Sequence, residues 1–155
     1  MKKSVSTKPG ARQLAGKTFN SPAAEERRQS LLILINRADD DAFVSARAKE
    51  FLDSVYRYYD WPGVTLAGPL TWSEDPFHDP SWNWRLHVMK SVFYLARAYE
   101  LGGGIRYLRR AEELVLSWID RNCIGETEPP SPYSWDEHST PLRLIHWLYF
   151  FEIWH

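Results

Sequence analysis

A single cysteine, Cys123, is present, which excludes an internal disulfide and any zinc site built from several cysteines. With no histidine close to it in sequence, it reads as chemically inert. Charge of one sign is also lacking. Nineteen Lys and Arg stand against 20 Asp and Glu for a net charge of −1, so there is no basic field to hold nucleic acid. The longest apolar runs, at 31–35 and 147–151, fall far short of the ~20 residues that a membrane-spanning helix requires. Met1-Lys2-Lys3 has the charge of a signal-peptide start, but residues 4–20 supply no apolar segment to follow it, and the compartment stays open.

What the chain does have is aromatic surface. Phe, Trp and Tyr make up 15% of the 155 residues, with eight Trp and eight Tyr. That many rings call for either a large core or a lined groove, because a buried indole N–H needs an acceptor. Residues 1–20 show no periodicity and are expected to be a disordered arm. Ser21-Pro22 opens a first helix, with Glu25 and Glu26 at its positive end, running to about Asn36. Residues 39–41 cap a second, whose stripe of Phe43, Ala46, Phe51, Leu52, Val55 and Tyr59 predicts a helix as far as Asp60. A long loop over 60–80 follows, of the length that is functional or mobile in compact domains. Residues 81–122 read as a helical hairpin. Its first arm carries Val88, Val92, Leu95, Ala96 and Tyr99, and its second Leu108, Ala111, Val115, Trp118 and Ile119. Gly102-Gly103-Gly104 forms the turn. After a Pro- and Glu-rich loop over 123–134, Ser139-Thr140-Pro141 starts a last helix still periodic at His155. No strand pattern competes, and the expected fold class is all-α, a set of antiparallel hairpins too short to close a ring.

Three segments, together covering roughly residues 70–150, carry a family resemblance. Asp79-Pro-Ser-Trp-Asn-Trp-Arg-Leu-His87 is a Trp-rich turn feeding a helix. Leu95-Ala-Arg-Ala-Tyr99 leads through Tyr107-Leu108 to Ser117-Trp118-Ile119. Most specific is Ser134-Trp135-Asp-Glu-His138-Ser-Thr-Pro-Leu-Arg143-Leu-Ile-His146-Trp147. In that order the segments resemble the front of heparinase II/III-like polysaccharide lyases, with His146 standing where the family more usually has Asn. The resemblance implies the N-terminal part of an (α/α) toroid, an incomplete one over 21–155 that is truncated at its C-terminus. It also implies an acidic polysaccharide as partner and no cofactor. The implied chemistry is β-elimination, in which a base takes the C5 proton of a uronic acid while another group neutralises the carboxylate. The family residues that do this lie mostly downstream of the matched segments, so no catalytic residue is assigned and the chain alone is expected to be inactive. The implied export of family members contrasts with the missing signal peptide.

Five residues are candidates for substrate contact. Arg143 could pair bidentately with a sugar carboxylate or sulfate, or else be a buried anchor for the 123–138 loop. His138 could point into a groove as a donor or merely fix the loop. Trp135 and Trp82 sit at helix entries, where a flat ring could meet a pyranose, whereas Trp84, Trp118 and Trp147 fall on core stripes. Arg85, read as lying near a helix N-terminus, would need an anion, from a ligand or from Glu74 or Asp75. Asp136-Glu137-His138 are adjacent and cannot converge on one ion, so no metal site is expected.

Two other function classes fit parts of the pattern. A helical interaction module would need several repeats, and only one hairpin of that kind is found. An (α/α)-barrel glycoside hydrolase would need two carboxylates across a cleft, for which Asp75, Asp79, Asp136 and Glu137 are available but not singled out by spacing. An exposed apolar face on the last helix is expected to favour self-association.

Overall fold

A computed structural model describes residues 21–35, 39–122 and 128–154. The expected arm at 1–20, Cys123 and His155 lie outside them. The order is α1 (Pro22–Ile35), α2 (Asp41–Leu52), β1 (Val55–Tyr56), β2 (Val64–Thr65), α3 (Pro80–Val88), α4 (Lys90–Glu100), α5 (Ile105–Arg121) and α6 (Ser139–Trp154). The fold is all-helical apart from the two-residue strands, which pair antiparallel. Helix α4 is the hub, buried on nearly every side, with α2, α5 and α6 packed around it. Helices α1 and α3 lean on α6.

Two helices end earlier than their stripes predict. Helix α2 stops at Leu52 rather than near Asp60, because Ser54 turns left-handed (φ 60°) and the β-favouring Val-Tyr pair that follows forms β1. The expected helix from Ser81 to Tyr99 is broken at Met89 (φ 54°, ψ 38°), which is simultaneously the end of α3 and the start of α4. No glycine or proline marks that break. Its cause is tertiary: the carbonyls of His87 and Val88, freed from helical bonding, are taken by Arg143 Nη1 at 2.8 Å and His146 Nδ1 at 2.9 Å, both from α6. A cation over carbonyls at a helix C-terminus also meets the negative end of the helix dipole.

The glycine turn behaves as the sequence indicates. Gly102 is left-handed (φ 96°), its N–H donating to Tyr99 O and that of Gly103 to Ala98 O, the paired bonds of a Schellman cap. A Cβ at Gly103 would stand 2.5 Å from Ala98 O, so the turn also needs a glycine for space. Helix α6 keeps Leu144, Leu148 and Phe151 exposed along one stripe. No helix among the described residues is long and apolar enough to cross a membrane.

Helix α6 is started by Asp136, whose Oδ1 accepts from the backbone N–H of Ser139 (2.9 Å) and His138 (3.0 Å) and from Trp84 Nε1 (3.3 Å). The Ser139 bond, followed by those from His138 and Trp84, holds its carboxyl below the usual range. Asp136→Ala is expected to cost about 1 kcal/mol, the typical value of a helix N-cap, and to leave the Trp84 indole mobile. Thermal melting with the Trp84 side-chain NMR signal checks this, and an unchanged melting point would show the cap to be dispensable.

A candidate functional cleft beside the α3–α4 break

The five residues proposed from sequence do not share one site. Arg143 is 1% exposed and is an anchor. Besides His87 O, it donates through Nη2 to Ser134 O (2.7 Å) and Thr140 Oγ1 (3.1 Å), and its guanidinium lies 3.9 Å from the Trp118 ring centre. It holds the loop before α6 through backbone oxygens rather than through Asp136 or Glu137. Burial lowers its pKa to about 10, and no carboxylate among the described residues pairs with it. Trp135 joins this cluster edge-on to Trp118, its indole N–H held by Asn122 O at 3.0 Å, with the rest of the ring half-exposed. His138 faces solvent beside Asp136 and Glu137. Trp82 presents no face to a ligand, since it is fully buried beneath Tyr58 with ring centres 5.4 Å apart.

Of the five, Arg85 lines a cleft that the other four do not reach. This cavity of about 570 Å³ runs between α1, α2, the loop after β1, the α3–α4 break and α6. Five aromatic side chains border it, Phe43, Tyr58, Tyr59, Trp84 and Tyr94. Four cations, Arg47, Arg57, Arg85 and Lys90, face it against two acids, Asp39 and Asp60, with Glu50 behind Arg47 and Arg57, so its charged groups keep a small positive excess although the chain is nearly neutral. Three of the cations are already partnered. Arg47 and Arg57 share Glu50, and Lys90 pairs with Asp39 at 2.8 Å.

Arg85 has no carboxylate partner among the described residues. Glu74 turns instead to Thr71, and Asp75 accepts from the Asp79 N–H. The dipole reason for expecting an anion at Arg85 is overturned, because the break at Met89 puts it in the last turn of α3, where a cation is favoured. Its position over aromatic rings supplies a different reason: it sits 3.6 Å from the Tyr59 ring centre and 5.6 Å from that of Trp84. Trp84 is correspondingly a wall of the cleft rather than the core residue its stripe predicts.

Both histidines near the break are neutral. His87 donates from Nε2 to Trp72 O (2.8 Å) and accepts at Nδ1 from Trp118 Nε1 (3.1 Å), so a second proton would collide with the indole N–H. His146 donates from Nδ1 to Val88 O, leaving Nε2 as an acceptor. Burial lowers the pKa of each to about 4. Three of the four carboxylates considered for a hydrolase pair have other duties, Asp75, Asp79 and Asp136 accepting loop and helix-start N–H groups, while Glu137 stands exposed beside His138.

Sequence reading missed Tyr58, Tyr59 and Lys90. The two tyrosines were hidden inside a helix prediction that ran on to Asp60, and their only signal was the Tyr-Arg-Tyr-Tyr run itself, which is β-favouring.

Comparison with protein-family models finds no match, and neither does comparison with curated protein sequences. Solved structures do match. The crystal structure of heparan sulfate lyase HepC from Pedobacter heparinus superposes with a TM-score of 0.69 at 15% identity over 84% of this chain. A mutant of the same lyase gives 0.66 at 16% identity over 85%. The chain spans only 22% and 23% of those proteins. At this identity the likeness establishes architecture: the fold is that of part of the helical toroid of a heparan sulfate lyase.

Proposed function

We propose that the chain is the N-terminal portion of a lyase-like (α/α) toroid whose cleft binds an acidic, uronate-containing polysaccharide. The observation that carries this reading is the cleft itself, a positive, aromatic-walled groove in a nearly neutral chain with the fold of a heparan sulfate lyase toroid. Aromatic walls suit sugar rings, and cations suit their carboxylates and sulfates. Neither buried histidine suits the role of base. His87 has both nitrogens committed, and His146, ionising near about 4, holds a proton too weakly at neutral pH to draw one from C5. The role proposed for this chain is therefore binding, with elimination carried out by residues of a longer toroid.

Calorimetric titration with heparan sulfate and alginate oligosaccharides, beside a neutral glucan of equal length, tests it. Binding to the acidic chains only, weakening as salt is raised, is expected. Equal affinity for the neutral glucan, or none for either acidic chain, would remove the acidic-polysaccharide reading.

A further inference from the structure

We infer that Arg85 and the Tyr58 hydroxyl together form a seat for one oxyanion, a carboxylate or sulfate group carried on a sugar, at the inner wall of this cleft. The inference rests on reading the cleft as an acidic-saccharide site and names the two groups that hold the charge.

Arg85 is presented as a rigid plane. At 3.6 Å from the Tyr59 ring centre its guanidinium has the separation of a stacked pair, which leaves the N–H groups directed outward along its edge. None of its nitrogens has an acceptor among the described residues, and Nε is buried without one. The half-buried guanidinium thus keeps its outer edge accessible with no carboxylate beside it among the described residues, where an anion could pair with it. Tyr59, the platform, is itself left-handed (φ 46°) and mostly exposed.

Tyr58 supplies an independent observation. It lines the same cleft, is only 7% exposed, and its hydroxyl is buried with no hydrogen-bond partner. Buried hydroxyls are almost always paired. The ring cannot swing away to find one, because Trp82 stands edge-on at 5.4 Å and Phe51 lies at 6.1 Å. Burial raises its pKa well above the ordinary value, so the hydroxyl keeps its proton and is available as a donor, and Arg85 is close enough for its charge to act on the phenol. Two unsatisfied donors bordering one cleft, one cationic and one neutral, are what an oxyanion with several lone pairs would complete. Neighbouring cations do not compete for the role, being paired to Glu50 and Asp39.

The test titrates the full chain with glucuronate, inorganic sulfate and glucose. Calorimetry and the Arg85 Nε–H signal of a nitrogen-15-labelled sample are read together. The variants are Arg85→Gln, Tyr58→Phe and, as a control far from the cleft, Arg121→Gln. Saturable binding of glucuronate or sulfate but not glucose is expected, with the Arg85 signal moving. Preference for glucuronate would identify the seat as one for a carboxylate, and preference for sulfate as one for a sulfate ester. Arg85→Gln is expected to weaken binding about tenfold, the loss of one charge-assisted contact. Tyr58→Phe is expected to weaken it about threefold to tenfold with its melting point unchanged or raised, since an orphan polar group is removed. Arg121→Gln should bind as the parent does. Undiminished anion binding in either Arg85→Gln or Tyr58→Phe overturns the seat. The polysaccharide reading fails separately: anions binding through both residues while oligosaccharides do not bind would keep the seat and remove the substrate class. Oligosaccharide binding indifferent to both variants would do the reverse.

Discussion

Arg143→Met is expected to destabilise the chain by about 3 kcal/mol, although methionine matches the length of the arginine stem and removes a charge that is expensive to bury. The guanidinium spans two backbone oxygens that belong to different parts of the fold, His87 O at the end of α3 and Ser134 O in the loop before α6. Without it both carbonyls stay buried and unpaired, each at a cost of roughly 1–3 kcal/mol, and the stack on Trp118 is lost as well. Relief from desolving the cation offsets part of this, which is why the net figure lies below the sum of the parts. For a chain of this size about 3 kcal/mol lowers the melting temperature by roughly 6–12 °C. Arg143→Lys should recover less than half, since one ammonium cannot reach both oxygens in the geometry of a planar fork. Chemical denaturation of both variants checks this, and a lysine variant as stable as the parent would show that charge alone, not the two-pronged bridge, holds the loop and the break together.

Mild acid is expected to destabilise the chain through the two histidines beside that break. Each has a folded-state pKa of about 4 against an ordinary 6.5, so between those values the unfolded chain takes up a proton that the folded one refuses. Protons therefore favour unfolding, with no penalty above about pH 6.5, a growing one down to about pH 4, and no further growth below. The effect is on the order of 2 kcal/mol per histidine at about pH 5, large against the 5–15 kcal/mol of an ordinary domain. His146→Asn separates the two contributions. The side-chain amide nitrogen of asparagine stands the same number of bonds from the backbone as Nδ1, so it can donate to Val88 O without titrating. Melting curves followed from neutral to acid pH should show that variant losing about half as much stability as the parent. An identical pH profile in the two would place the acid sensitivity elsewhere.

These two residues also show where sequence reading stops. The stripes of α4 and α5 and the glycine turn between them were legible because they depend on residues within a few positions of one another. The break at Met89 was not, because its acceptors are satisfied by Arg143 and His146, more than 50 positions away, and nothing local announces it. Arg143 was legible as a residue that matters within the Trp135–Trp147 segment, yet its use as a bridge between carbonyls could not be told from ligand binding by type or spacing. Arg85 was singled out for a dipole argument that the break reverses, and it lines the cleft for another reason, its stacking on Tyr59. Tyr58 and Tyr59 became visible only once α2 was seen to end at Leu52.

The separation between the two clusters matters for function. Trp118, Trp135 and Arg143 form a packed anchor that stabilises the break, and the break in turn places Arg85 and Trp84 on the cleft wall. Mutations in the anchor should act on stability first and on binding only through it, whereas Arg85→Gln should act on binding with little change in melting temperature.

The most direct measurement is a nitrogen-15 NMR titration of the chain with a heparan sulfate oligosaccharide, mapping which backbone, indole and arginine side-chain signals move. Shifts centred on Tyr58, Tyr59, the Trp84 indole and Arg85 are expected, since these line the positive cleft. Shifts confined to His138 and Trp135 on the outer loop, or no saturable shifts, would contradict the assignment of the cleft as the saccharide site.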